Sequence, residues 1–157
     1  MRKPLTAILG LLLIAGVVST ATGRMSQAWA AQAHPHVYDA YRLLKRSHFV
    51  LKHACRQLGG HRAAADQQIE LALNEIQAAI AMDHGTLPAV PEAAGIEIKP
   101  GQLHPYIHDA LRQCMQAKAQ LTAAAQDFGG HRTKAIQYVD AAIAQLQAAV
   151  QEPRCTS

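Results

Sequence analysis

Gly-Gly-His-Arg at residues 59–62 is the stretch that decides the fold, because the same four residues return at 129–132. The offset between the two copies is 70 residues. Sliding residues 34–80 over 104–150 aligns 47 positions without a gap, and 17 of them are identical. An internal repeat determines the architecture of a chain, so it is sought before any single element.

Each copy begins with a His-Pro pair and continues as an amphipathic seam. Small or apolar residues recur at alternating spacings of three and four, which is the pattern of a helix packed on other helices. Proline suits the first turn of such a helix, where no backbone hydrogen bond is lost. A second apolar stripe follows each Gly-Gly pair. We therefore predict helices over about 35–58 and 62–82, repeated in the second copy. The first seam comprises Val37, Ala40, Leu44, Ser47, Leu51, Ala54 and Leu58.

The paired glycines allow two interpretations. After a periodic run, they suit a left-handed helix cap and a tight turn between antiparallel helices. The alternative is one kinked helix, but two internal glycines cost roughly 2 kcal/mol relative to alanine. We therefore predict a hairpin in each copy. The predicted turn residues are Gly59, Gly60, Arg62, Gly129, Gly130 and Arg132.

Two equivalent hairpins can bury their apolar faces against each other. The prediction is an all-α fold, a four-helix bundle made of two tandem helical hairpins (repeat 34–80 and 104–150). We expect the pseudo-two-fold axis to run along the bundle, with both Gly-Gly-His-Arg turns at one end and both His-Pro pairs at the other. Residues 84–103, rich in proline and glycine, form a linker. One domain then covers residues 31–157.

The first thirty residues have the features of an export signal. Arg2 and Lys3 precede an apolar run at 5–18, and Ala-Trp-Ala at 28–30 fits a cleavage site. The run is shorter than the ~20 residues of a membrane-spanning helix. We predict a signal peptide over 1–30, a periplasmic or secreted location, and no stable membrane span after cleavage. A cut after Ala21 and an uncleaved anchor are the alternatives.

Cleavage also changes the charge. Lys plus Arg falls from 15 to 12 while all 11 acidic residues remain, so the net charge drops from +4 to +1. No basic stripe interleaved with aromatic residues survives, and we expect no nucleic-acid partner. No nucleophile with a base and an orienting group is evident, and no phosphate-binding loop, so we expect no enzyme.

Three cysteines, Cys55, Cys114 and Cys155, make an odd count. Cys55 and Cys114 lie at different positions of the two copies. In parallel helices they would be about 16 Å apart along the axis, and a disulfide needs Cα atoms within ~7 Å. We expect this pair not to bridge, which leaves Cys155 available to pair with another molecule.

The histidines carry the functional signal. In the expected bundle His61 meets His131, whereas His34 lies with His104 at the opposite end. His104 and His108 are four residues apart, so both rings would project from one helix face. Neutral imidazole is a common ligand of Zn²⁺, Cu²⁺ and Ni²⁺. We predict a site for one of these metals, with haem as a second choice, and the candidate ligands are His34, His104, His108, His61 and His131. The alternative is that these histidines only begin helices, stabilise turns or lie on the surface.

A motif pattern adds a resemblance. His-Pro-x-(Ile/Val)-x-Asp-Ala, then Asp-Phe-Gly-Gly-His-Arg and an alanine-rich helix, resembles an uncharacterised family of small exported bacterial helical proteins. The likeness covers residues 34–150 and is most specific at 127–132, although the first copy has Gln57-Leu58 in place of Asp-Phe. The resemblance implies an exported helical protein and no particular activity.

Two functions follow. One is an exported, non-enzymatic bundle that binds a transition metal or haem through clustered histidines. The other is a structural, protein-interaction or chaperone-like periplasmic bundle that has no ligand and contacts a protein partner or a second copy of itself. Titration of the protein with Zn²⁺, Cu²⁺ and Ni²⁺ distinguishes them.

Overall fold

A computed structural model describes residues 34–55, 58–90 and 104–153. The predicted signal peptide, Cys155 and most of the linker lie outside these residues. The described chain contains four α-helices, and the predicted all-α four-helix bundle is confirmed. None of these helices has both the length and the apolar character needed to cross a bilayer. The helices are α1 (Pro35–Lys52), α2 (His61–Met82), α3 (Pro105–Ala123) and α4 (His131–Gln151).

The core is built from the seams of both copies. Every residue of the first predicted seam is buried, and most repeat-equivalent positions of the second copy are buried too. Small residues dominate where helices meet closely, because alanine lets two backbones approach. The alanines at 40, 65 and 72 and their equivalents at 110, 135 and 142 are fully buried. Burial of one stripe per helix explains why the chain folds as a bundle.

In both hairpins the first helix ends earlier than the apolar seam of the sequence predicts. Helix α1 ends at Lys52 and α3 at Ala123, although the seam residues Ala54 and Leu58 stay buried beyond the end of α1. In the first turn, a guanidinium N–H of Arg62 donates to the Leu51 carbonyl at 3.0 Å. The same carbonyl accepts the Ala54 backbone N–H at 3.1 Å, so the arginine adds a second hydrogen bond at the end of the helix.

The helices of equivalent sequence pack against each other, α1 on α3 and α2 on α4. Contacts show that both pairs are antiparallel. His36, at the start of α1, donates to the Gln120 side chain at 2.6 Å, near the end of α3. The Ser47 hydroxyl, late in α1, donates to the Ala110 carbonyl at 3.2 Å, early in α3. The pseudo-two-fold axis therefore runs across the bundle.

The predicted axis along the bundle is therefore wrong. Each end combines the turn of one copy with the His-Pro start of the other. At one end the His34 ring packs edge-on against Phe128, with centroids 4.9 Å apart. At the other end His104 Nε2 lies 3.2 Å from the carbonyl of Glu152, which also approaches Gly59. The sequence pattern could not decide between the two axes because both bury the same stripes.

The transverse axis explains the long connection between the copies. Helix α2 ends beside the start of α1, whereas α3 begins at the far end of the bundle. The connection must therefore cover the length of a helix, about 30 Å for 20 residues. Some 20 residues of extended chain reach about 65 Å, so residues 84–103 are long enough to make this crossing.

Candidate functional site

The structure does not bring His61 and His131 together. His61 Nδ1 donates to the Gln145 side chain at 2.8 Å, and His131 Nδ1 donates to the Glu75 carboxylate at 2.6 Å. These two bonds are equivalent under the repeat and lie at opposite ends of the α2–α4 interface. About 14 residues of α2 separate them, which is roughly 21 Å. A metal site shared by His61 and His131 is therefore ruled out.

The other predicted ligands are also dispersed. His34 Nε2 lies 3.0 Å from the Asp83 carboxylate, at one end of the bundle. His104 lies at the other end, buried and just before α3, with a backbone φ of 51°. Because His104 is outside the helix, the spacing to His108 does not place the two rings on one helical face. The predicted grouping of His34 with His104 at one end of the bundle is therefore wrong.

The glycines and arginines of the two repeated turns have a structural role. Gly59 and Gly60 have φ values of 56° and 82°, and Gly129 and Gly130 have 65° and 95°. Glycine adopts this left-handed backbone without the penalty that a side chain brings. In the second turn a guanidinium N–H of Arg132 donates to the Ala124 carbonyl at 2.6 Å. Both arginines thus bond a carbonyl near the end of the preceding helix, although the two carbonyls are not equivalent positions of the repeat.

Asp127 strengthens the second turn. Its carboxylate accepts hydrogen bonds from the Thr133 hydroxyl at 2.7 Å and from the Thr133 backbone N–H at 3.0 Å. These bonds, with the Arg132 guanidinium nearby, lower the pKa of the Asp127 carboxyl. The first copy has Gln57 at this position. The sequence of the first copy thus has an amide where the second has a carboxylate.

The described cysteines differ in state. Cys55 is disulfide-bonded, whereas Cys114 is a free, buried thiol. The Cys114 sulfur lies 3.2 Å from the Ser47 hydroxyl, in the centre of the α1–α3 interface. Burial raises the pKa of the Cys114 thiol to about 12, against a smaller lowering by the Ser47 bond. The prediction that Cys55 and Cys114 do not bridge is confirmed.

Within the described ranges, one group of side chains has the spacing of a metal site, and it is not among the predicted ligands. His48 lies on α1, and Asp66 and Glu70 lie one turn apart on α2. One ligand atom from each of the three lies within 4.8 Å of the other two. The His48 side chain is 14% exposed, so its ring is held between the helices, whereas Glu70 is 60% exposed.

Hydrogen bonding determines which nitrogen of His48 can bind a metal. Nδ1 lies 2.7 Å from an Asp66 oxygen, and a carboxylate only accepts, so Nδ1 carries the proton. In the neutral form with this tautomer, the lone pair is on Nε2. That nitrogen lies 3.9 Å from a Glu70 oxygen. Metal-binding imidazoles usually have this arrangement, in which one ring nitrogen donates its N–H to a carboxylate and the other nitrogen is available to the metal.

The distance between His48 Nε2 and the Glu70 carboxylate oxygen suits a small divalent ion. Donors at about 2.0–2.1 Å from tetrahedral zinc lie about 3.3 Å from each other. The 3.9 Å between His48 Nε2 and Glu70 is slightly wider. The exposed Glu70 side chain can close this difference by rotation. Nitrogen and carboxylate oxygen together suit Zn²⁺, Ni²⁺ and Cu²⁺.

An open groove of about 260 Å³ lies next to these atoms. It is lined by Lys45, His48, Glu70, Leu73, Asn74 and Gln77. Three of these side chains offer N–H donors, and one of them is a cation. The groove therefore combines the two candidate metal ligands, His48 and Glu70, with groups that favour an anion.

The repeat supplies an internal comparison for this cluster. His48 and Glu70 correspond to Lys118 and Asp140 of the second copy. Lys118 Nζ lies 2.7 Å from an Asp140 oxygen, so a covalently attached cation occupies that place. In the first copy an imidazole replaces the ammonium, and Asp66 stands where the second copy has Ile136. The first copy thus has one more carboxylate and no lysine at the position of Lys118.

Sequence reasoning missed this cluster although two signals pointed to it. Asp66 and Glu70 are four residues apart, which places both carboxylates on one face of α2. A hairpin that folds back near residue 57 also brings residue 48 opposite residue 66.

Comparison of sequences and structures adds nothing further, since no protein-family model, curated protein or solved structure matches the chain.

Proposed function

We propose that this protein is an exported, non-enzymatic helical bundle that binds a divalent transition metal through His48 and Glu70, with Asp66 holding the imidazole. The observation that carries the proposal is the convergence of one donor atom from each of these residues within 4.8 Å. The export signal predicted over residues 1–30 supports a location outside the cytoplasm, where the protein would meet free metal ions.

The charge balance of the two copies supports the same function. Where the second copy pairs Lys118 with Asp140, the first copy faces two carboxylates with one imidazole ring. Carboxylates brought together without a cation repel each other, and a bound cation removes this repulsion. A divalent ion at His48 supplies the positive charge that the lysine supplies in the other copy.

Isothermal titration of the metal-free protein with Zn²⁺, Ni²⁺ and Cu²⁺ tests the proposal. We expect one site with a dissociation constant in the micromolar range, roughly −8 kcal/mol at 1 μM. His48→Ala and Glu70→Gln should each weaken binding at least tenfold. His48→Lys copies the second repeat, so it should abolish binding while it preserves the fold, as far-ultraviolet circular dichroism can verify.

The matched control is His53→Ala. His53 lies just after α1, it is exposed, and its Nδ1 contacts the Phe49 carbonyl at 3.0 Å, so it should leave metal binding unchanged. Retention of full affinity in His48→Lys would place the metal elsewhere and overturn the assignment. Absence of heat with all three metals would reject metal binding and favour the structural or interaction function.

A further inference from the structure

We propose that the metal at His48 and Glu70 recruits a small carboxylate ligand, held beside it by Lys45, Asn74 and Gln77. This inference rests on the proposed metal site. It names the chemical class that completes the coordination of the ion and that the protein would carry together with it.

The chain provides too few donors to fill the coordination sphere. His48 Nε2 and a Glu70 oxygen face the ion, while Asp66 is engaged with the other ring nitrogen. Four donors are usual for zinc, and sites with an open position hold water or an exogenous ligand there. At least two positions therefore face the solvent on the groove side.

The groove has the size and lining of a carboxylate site. Its volume is about 260 Å³, and a water molecule occupies about 30 Å³ of liquid, so a ligand of several non-hydrogen atoms fits. Lys45 contributes an ammonium group to the lining, and Asn74 and Gln77 contribute amide N–H groups. All three can donate to a carboxylate oxygen that the metal leaves free.

The electrostatics of the loaded groove favour an anion. A divalent ion and Lys45 together carry three positive charges against two negative charges on Asp66 and Glu70. The excess of one positive charge attracts a monovalent carboxylate, and the low solvent exposure of the His48 side chain limits screening on that side. A neutral molecule of the same shape gains no such attraction.

The second copy retains only part of this lining. Lys45 and Asn74 correspond there to Met115 and Ala144, and His48 corresponds to Lys118. The core residues are retained across the repeat and Gln77 is retained as Gln147, whereas His48, Lys45 and Asn74 occur in the first copy only. Met115 is 55% exposed, so its difference from Lys45 is not a consequence of packing. The imidazole, the ammonium and one of the two amides are therefore features of the first copy alone.

Cobalt absorption spectroscopy tests the inference on the full chain. Co²⁺ substitutes for Zn²⁺, and its visible d–d bands report the ligands of the ion. Acetate added to the Co²⁺-loaded protein should change these bands saturably, and acetamide should not. We expect Lys45→Ala to weaken the apparent acetate affinity at least fivefold, Lys45→Arg to restore most of it, and Met115→Ala to have no effect.

The two proposals fail in different ways. Bands that form with Co²⁺ but do not respond to acetate would overturn the carboxylate inference and leave metal binding standing. An equal acetate response in wild type and Lys45→Ala would show that the ion alone recruits the ligand, which also overturns the role of the groove. Failure of Co²⁺ to bind, with Zn²⁺ also inert in titration, would overturn both.

Discussion

Nδ1 of His131 lies 2.6 Å from a carboxylate oxygen of Glu75, across the interface between α2 and α4. At the equivalent position His61 meets the amide oxygen of Gln145 at 2.8 Å. The geometry is retained across the two copies while the acceptor changes from a carboxylate to an amide. The two bonds join the same pair of helices near opposite ends, so they hold the register of the α2–α4 interface.

Glu75→Gln should therefore be well tolerated, because it copies the bond that the other copy already makes. We expect it to lower the free energy of unfolding by less than about 1 kcal/mol, whereas Glu75→Ala should cost about 1–3 kcal/mol by leaving a partly buried N–H unpaired. Urea denaturation measures both values. Equal losses in the two variants would contradict a role for the hydrogen bond.

Gly60→Ala tests the backbone of the first turn. Gly60 has a φ of 82°, and a Cβ atom at this position would meet nothing within 4 Å. The cost should therefore come from the left-handed backbone alone, about 1–2 kcal/mol. Asn tolerates this region better than Ala, so Gly60→Asn should recover part of the loss. Thermal unfolding of both variants checks this order, and an inverted order would show that conformation is not the cause.

Cys114 should be inert in the folded protein. It is fully buried and its pKa is raised to about 12 from 9.0. A thiol reagent at pH 8 should modify Cys114 only after denaturant is added, which mass spectrometry can detect. Rapid modification without denaturant would contradict the packing of the α1–α3 interface.

The same thiol gives a dependence of stability on pH. Its folded pKa lies above its unfolded pKa, so the contribution is fully present below about pH 9 and is lost as the pH rises towards 12. Between pH 9 and 10 the wild type should lose up to about 1.4 kcal/mol more than Cys114→Ala. Parallel curves for the two proteins would exclude the effect.

Cys55 provides the fourth prediction. It is disulfide-bonded while Cys114 is free, and the only other cysteine in the chain is Cys155. Glu152, three residues before Cys155, already lies against Gly59 at the same end of the bundle. Peptide mapping without reductant should therefore yield a Cys55–Cys155 peptide from monomeric protein. A disulfide-linked dimer on a non-reducing gel would instead show that the bond joins two molecules.

Reduction of that bond should lower stability. Closing a loop of about 100 residues is worth up to about 4.7 kcal/mol in the chain-entropy description, and measured values are often smaller. Cys155→Ser provides the matched comparison, since it removes the bond without affecting the buried Cys114. Unchanged unfolding in Cys155→Ser would show that the tail is not tied down.

Sequence patterns predicted the four helices because burial and periodicity are local properties. The seam from Val37 to Leu58 is buried as expected. The direction of the symmetry axis was not predictable in this way, because it depends on contacts such as His36 with Gln120 across two distant helices. His48 was missed for a related reason, since its partners Asp66 and Glu70 belong to another helix. His104 was misplaced because its backbone φ of 51° removes it from the helical face.

The transverse axis has a consequence for how such a chain could be assembled. Each helix packs antiparallel against the helix of equivalent sequence in the other copy. The packing surface of one hairpin is therefore complementary to itself, as in an isologous dimer. A gene that encoded a single hairpin would thus specify a symmetric pair, and fusing two such genes requires a connector as long as the bundle. Residues 84–103 join the two copies in this chain, and the two halves carry different surface residues, such as His48 in one and Lys118 in the other.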